Sequence, residues 1–351
     1  MNKTLRALCA VPLCTATLVH ADPVTIYGLI DAGLTRYSDG ATGAGAPRPF
    51  TKMDTGVANA NRIGFKGTEQ LGNGVSAFFT LETGYTLDDG ALGQGGLIFG
   101  RQAFVGLANQ VGGVSVGRHY DFMINQNAYS TGAATVAGLL AFGLHASPRT
   151  AGVLNDRIYA GDRVNNSVKF QSVALGGWSI GALYGLGEVA GNHAAGRTWS
   201  MRLAYDAGPA SAGFAATNLR DAAGVYTTRI HGLGGSYQMG RVRAFGLLTR
   251  VSNNSGRQLE ANNAEIGATW SASTRVDLSA GVQRQERNNS IRSANQLTLV
   301  ANYKLSNRTN VYAVGAFLRD RGFPAQTTAA VGVPDADGTQ NALRIGVRHL
   351  F

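Results

Sequence analysis

The sequence predicts an all-β chain, a transmembrane antiparallel β-barrel of 16 strands. Three observations carry this. The last ten residues, 342–351, alternate: Leu343, Ile345, Val347, His349 and Phe351 on one parity, Arg344, Gly346 and Arg348 on the other. A period of two puts an apolar stripe on one face of a strand and charge on the other. Segments of about ten residues with the same alternation recur along the chain, punctuated by turn residues, as in membrane barrels. Past residue 21, no apolar run of about 18 residues offers a membrane helix. In hydrocarbon every backbone N–H and C=O needs an internal partner, so a sheet that crosses must close.

The elements follow in order. Residues 1–21 read as a signal peptide: Lys3 and Arg6, the apolar stretch 7–19, then Val19-His20-Ala21 before Asp22. About 13 apolar residues are too few for a span of about 20. Cys9 and Cys14 both fall inside this segment, so 22–351 carries no thiol or disulfide chemistry. Alternation then places strands near 24–37, 60–71, 74–87, 97–108, 112–120, 165–174, 177–187 and 196–207. The second half places them near 210–220, 225–238, 241–252, 260–270, 274–286, 292–305, 309–319 and 341–351. Tight joints such as Gly72-Asn73-Gly74 and Ser306-Asn307 roughly alternate with long ones at 38–59, 121–164 and 320–340. Short turns at one rim and long loops at the other suit an outer-membrane barrel. Sixteen strands enclose more than side chains can fill, leaving an aqueous lumen.

Single strands sharpen the parity. In 196–207, Trp199, Met201, Leu203 and Tyr205 share one face and Ser200, Arg202 and Ala204 the other. Trp199 and Tyr205 stand about 20 Å apart at about 3.3 Å per residue, one for each membrane interface. In 274–286, Val276, Leu278, Ala280 and Val282 oppose Asp277, Ser279 and Gln283; in 60–71, Ile63 and Phe65 oppose Arg62 and Lys66. Lys66 and Arg202 are therefore read as lumen-facing. The apolar segment 133–146 is too short to span and reads as interior-packed. The net charge of +10 does not indicate nucleic acid, because the arginines are spread through alternating segments rather than clustered.

These residues resemble the general diffusion porins of Gram-negative bacteria, of the beta-proteobacterial type. The resemblance runs through VTIYGLID at 24–31, NRIGFKGTEQLGNGVSAFFTLETGY at 61–85, FGRQAFVGL at 99–107 and VGRHYD at 116–121. It continues with NNSVKF at 165–170, YKLSNRTNVYAVGAF at 303–317 and IGVRHLF at 345–351. It implies a homotrimer in the cell outer membrane, with the long third loop, here 121–164, folded into the lumen as a constriction. It implies that Arg62, Arg101 and Arg163 border that constriction, with Arg118 and Asp121 as further candidates. It also implies lipid and lipopolysaccharide around the barrel, and a terminal Phe351 that serves as a signal for the barrel-assembly machinery.

Guanidinium stays charged at physiological pH. Between Phe122 and Asn155 the loop has no Asp or Glu; Asp121, Asp156 and Asp162 stand at its ends. The expected channel is water-filled, passes ions and small hydrophilic solutes passively, and prefers anions. A substrate-specific channel of the same architecture is the alternative; a barrel enzyme or adhesive anchor fits less well. Two G-x-S-x-G matches, at Ser115 and Ser179, sit inside strands rather than at the elbow that catalysis requires. The histidines lack metal spacing, and no cofactor or metal is expected. Asp88-Asp89, Asp335 and Asp337 read as solvated loop charge. Gly28 and Ala32 are small residues expected on the outer wall, where close packing of subunits would use them.

Overall fold

The computed structural model describes residues 24–40, 48–131, 145–146, 163–254, 259–287, 293–321, 325–326 and 338–351. The strands are β1 (Thr25–Tyr37), β2 (Phe50–Thr55), β3 (Arg62–Gly72), β4 (Val75–Gly84), β5 (Gln102–Ala108), β6 (Gly112–Tyr120), β7 (His145–Ala146), β8 (Arg163–Ser172), β9 (Trp178–Gly185) and β10 (Thr198–Ala207). They continue with β11 (Ala210–Arg220), β12 (Thr227–Met239), β13 (Val242–Asn253), β14 (Leu259–Ser271), β15 (Val276–Arg287), β16 (Ser293–Lys304), β17 (Thr309–Arg321), β18 (Ala325–Gln326) and β19 (Thr339–Leu350). Consecutive wall strands pair antiparallel. The sheet closes where β1 pairs with β19, from Leu29↔Leu350 to Tyr37↔Ala342.

The opposite edge of β1 is shared. Its first half pairs with β3 and its second with β2, so β2 and β3 form one stave interrupted at 56–61. Counted so, the wall has 16 staves. β7 and β18 form a separate two-residue ladder joining two long connections. The 50–55 piece lies within the stretch expected to be a long loop. The signal peptide, most of 132–162 and the acids Asp156, Asp162, Asp335 and Asp337 lie outside the described residues.

The wall is inside-out relative to a water-soluble protein. Outward positions are apolar and uncovered: Ile345 is 72% exposed, Ile266 67% and Leu343 57%. Inward positions on these and the intervening strands are polar and covered, among them Arg344, Asp277, Gln283 and Asn302. Apolar surface facing water at this density would be strongly unfavourable; facing acyl chains it costs nothing. Trp178, Tyr205, Tyr237, Trp270, Tyr303 and Phe351 all point outward beside the short turns, a girdle at one membrane interface. Trp178 packs on Tyr205 with ring centroids 5.0 Å apart. At the other end of the same strand pair Tyr184 faces Trp199.

The seam between first and last strands is fastened from inside. Arg344 on β19 donates from Nε to the Tyr312 hydroxyl at 2.9 Å, from Nη1 to Thr35 Oγ1 at 2.9 Å and from Nη2 to the Asp54 carbonyl at 3.1 Å. Its Nη2 lies 3.7 Å from Asp31 Oδ2 on β1, and both side chains are fully covered. Asp31 also accepts from the Ala58 N–H at 2.8 Å, and its own N–H donates to Asn61 Oδ1 at 2.6 Å. The interruption at 56–61 is thereby drawn against the inner wall. Val57 and Ala58 pack there with Tyr37, Val300, Tyr312 and Val314.

Candidate functional site

Inward parity and register bring Arg62, Arg101 and Arg163 to one patch of the inner wall. Arg62 opens β3, and Glu82 faces inward near the end of β4, two steps from Arg62's partner Gly84. Arg101 immediately precedes β5, whose Gln102 is the partner of Glu82. Glu82 binds this group together. Its Oε1 accepts from Arg101 Nε at 2.7 Å, and its Oε2 accepts from the Tyr27 hydroxyl at 3.0 Å and lies 3.7 Å from Arg62 Nε. Tyr120 continues the row. Arg163 donates to its hydroxyl at 2.7 Å and lies over its ring at 4.6 Å, while Arg101 approaches the other part of the ring at 5.7 Å. Guanidinium over an aromatic face is held by the ring quadrupole, which orients the cation without cancelling it.

Arg62 and Arg101 thus share the Glu82 carboxylate, and Arg163 meets Arg101 across the Tyr120 ring. Arg62 keeps 24% of its side chain exposed. Lys66, one inward step beyond Gly64, stands over the Tyr27 ring at 5.3 Å. Arg202 faces inward from β10, with Nη1 donating to Ser179 Oγ at 3.0 Å and Nη2 3.8 Å from Asp206 Oδ2. Arg118 follows the outward parity of Val114 and Val116 on β6, opposite a bulge in β8, and its Nε donates to the Gly100 carbonyl at 2.9 Å.

Asp121 follows Tyr120 at the end of β6. It is fully covered, and its Oδ1 accepts from the Met123 N–H at 3.1 Å, capping the short 3-10 turn Phe122–Tyr129. That turn lies against inward-facing positions of β10–β13. Phe122 N–H donates to Ser200 Oγ at 3.0 Å, and Tyr129 Oη meets Ser211 Oγ at 3.2 Å. A Cβ at Gly234 would overlap the Tyr129 ring, so this close approach requires glycine there. Thr131 is tied by its N–H and hydroxyl to Glu265 Oε1 at 2.7 and 2.6 Å. Lys169 donates to the Tyr120 carbonyl at 2.9 Å and lies over the Phe122 ring at 4.4 Å, fixing where the chain leaves β6.

Sequence reasoning missed Glu82, Tyr120, Tyr27 and Lys169. The available signal for Glu82 was an acid on the Phe78, Thr80, Glu82 parity of an otherwise apolar strand. Phe351 is tied to β1 by paired backbone hydrogen bonds with Gly28 at 3.0 and 3.2 Å, and its ring covers the outer face of Gly28. Ser115 and Ser179 remain within β6 and β9. His119 ring nitrogens lie 2.8 Å from Ser115 Oγ and 2.8 Å from Ser167 Oγ. Among the described residues no group of three or more His, Cys, Asp or Glu is placed to hold a metal.

Known proteins agree with this architecture. A family profile described as Gram-negative porin matches residues 5–322. Outer membrane porin protein 32 of Delftia acidovorans is 29% identical over 369 residues, covering 100% of both chains. An outer membrane porin protein of Bordetella pertussis is 26% identical, again over 100% of both. The solved structure of an anion-selective porin from Comamonas acidovorans superposes with a TM-score of 0.81 at 25% identity, covering 94% of this chain and 100% of that one. The chain belongs to the Gram-negative porin family, passive channels of the outer membrane.

Proposed function

We propose that this channel passes small anions in preference to cations, with Arg62, Arg101 and Arg163 as the residues that set the preference. The observation that carries this is the gathering of guanidinium groups at one patch: Arg62 and Arg101 share the carboxylate of Glu82, and Arg163 stands beside them over the Tyr120 ring. Asp121 is engaged as a helix cap, and Lys66 and Arg202 add inward positive charge. Arginine-lined pores select anions because a fixed guanidinium replaces part of the ion's lost hydration. Similarity to the anion-selective porin of Comamonas acidovorans supports the same reading. Reversal potentials across a bilayer in a salt gradient test it. A potential on the anion side is expected; one on the cation side overturns it.

In this reading 121–164 is the constriction. Its first part is held to the wall by Tyr129, Thr131 and Glu265, and Arg118 and Asp121 shape its entry rather than touch the solute. The barrel works as a homotrimer, in contact with lipopolysaccharide, after delivery by the barrel-assembly machinery acting on Phe351. Ala32 faces outward, as subunit packing would use it; Gly28 also faces outward but lies beneath the Phe351 ring. Conductance steps in threes from one insertion event support the trimer; single independent steps count against it.

A further inference from the structure

Elsewhere on the inner wall, apolar side chains such as Ile230, Leu247, Val300 and Val314 are buried in two packed clusters. On β4 and β5 they are not. Val105 and Leu107 are exposed on the outer face of β5, so Phe104 points into the lumen. Phe78 does so from β4, where it shares the parity of Thr80 and Glu82. Both phenylalanines are only half-buried. A Cβ at Gly106 would overlap the Phe78 ring, whose edge also reaches Gly113, so the ring lies over a floor of glycine. Phe78 meets Phe104 edge-on at a centroid distance of 6.2 Å, and Phe104 stacks on the His119 imidazole at 4.8 Å. His119 is held in turn by Ser115 and Ser167, one on each ring nitrogen. The two rings are thus fixed in place, yet part of their surface is left to the water of a channel, where apolar area costs free energy until something apolar covers it.

This aromatic step adjoins the arginine patch. Thr80 is the register partner of Phe104 on one side and of Lys66 on the other, so Lys66, Thr80 and Phe104 form one row across three staves. Two interstrand spacings put the Lys66 and Phe104 backbones about 10 Å apart, with the short Thr80 between them. One inward step along β4, about 7 Å, separates this row from Glu82, which holds Arg62 and Arg101. Lys66 is exposed, its Nζ 5.3 Å from the centroid of the Tyr27 ring. A cation and a phenyl group on either side of a gap fit a flat solute with a carboxylate at one edge and a ring at the other. The ammonium takes the carboxylate in charge-assisted hydrogen bonds. The ring meets Phe104 and Phe78 in the offset or edge-to-face arrangements that aromatic pairs prefer. An aliphatic acid engages the cation alone. We infer that this row is a solute site for aromatic monocarboxylates of the benzoate class, with Lys66 on the carboxylate and Phe104 and Phe78 on the ring. The assignment rests on the reading that the neighbouring arginines draw anions into the channel, and it names a solute class for them.

The test is block of the chloride current through the full barrel in planar bilayers, titrated with benzoate and with cyclohexanecarboxylate, which has the same charge and nearly the same size but no aromatic ring. Reversal potentials in a sodium chloride gradient are recorded on the same channels. In the wild-type protein benzoate is expected to lower the current saturably and to bind about fivefold more tightly than cyclohexanecarboxylate, the share an aromatic contact supplies. The Phe78→Leu/Phe104→Leu variant, which keeps apolar bulk without a ring, is expected to bring benzoate down to the level of cyclohexanecarboxylate. Lys66→Gln is expected to weaken the two acids alike. Heat-modifiable mobility on gels shows that the variants are folded. Equal block by the two acids in the wild type, or benzoate block undiminished in the double variant, would overturn the proposal, because the phenylalanines would then only pack the wall. Either result beside an anion-side reversal potential overturns the aromatic site alone; a cation-side potential overturns the anion reading and this assignment with it.

Discussion

Replacing Glu82 by Gln tests the charge arithmetic of the inner wall. Glu82 is the shared acceptor of Arg101, Arg62 and Tyr27, at 2.7, 3.7 and 3.0 Å, and is almost fully covered. The amide keeps the size and one acceptor but removes the charge, so Arg62 and Arg101 lose the one carboxylate they share. For an ion passing about 8 Å away through water, one unit charge is worth about 0.5 kcal/mol. The sign is opposite for anions and cations, so the two separate by about 1 kcal/mol, about a fivefold change in permeability ratio. Screening at about 0.15 M salt, where the Debye length is about 8 Å, trims this, so the effect grows as salt falls. Reversal potentials of wild type and Glu82→Gln at two salt concentrations give the answer. Rising anion preference, larger at low salt, is expected. An unchanged or falling ratio in a channel of normal conductance would refute the reasoning, because the cluster would then not be what permeating ions feel.

Three other perturbations follow from the same geometry. Arg101→Ala should lower anion preference, and by stranding the covered Glu82 it should destabilise the barrel by about 3 kcal/mol, read as earlier loss of folded mobility on heated gels. Asp31→Asn removes the carboxylate facing the fully covered Arg344 and slackens the 56–61 tuck; a loss of about 3–5 kcal/mol in denaturant unfolding is expected, with little change in ion selectivity. Gly234→Val pushes a side chain into the Tyr129 ring, so the 122–131 turn must leave the wall; altered single-channel conductance and a cost of about 1–3 kcal/mol are expected.

The barrel is readable in the sequence wherever alternation is long enough to leave no doubt about parity. Val276–Arg287 is the clearest case: Leu278, Ala280 and Val282 face out, and Asp277, Ser279 and Gln283 face in, as the period of two requires. Phe50–Thr55 escaped because six residues after a proline-containing stretch carry too little pattern to distinguish strand from loop. The three arginines were found through the motifs around them. Their organiser Glu82 was not, because its partners lie on neighbouring strands and register across strands is not written in local spacing. The bulge opposite Gly117 is on β8, where Asn165 and Asn166 together face the single Arg118; inward and outward positions exchange there, so parity counted along β8 does not carry through to Arg163. Arg118 follows the unbroken outward parity of Val114 and Val116. Asp121 looked like a pore acid by its place before the loop, but a carboxylate at that place is equally suited to capping the turn that follows.

Cys9 and Cys14 are the chain's only cysteines, so with both replaced by Ser a cysteine introduced into the wall reports alone. Met201→Cys, Arg202→Cys and Leu203→Cys, made singly on β10 and reconstituted in bilayers, give three adjacent positions on alternate faces. A charged, membrane-impermeant thiol reagent should modify position 202 and spare 201 and 203, while a fluorophore at 201 or 203, but not at 202, should be quenched by brominated lipid acyl chains. The opposite pattern, or equal labelling of all three, would contradict a wall with water on its inner side and hydrocarbon on its outer.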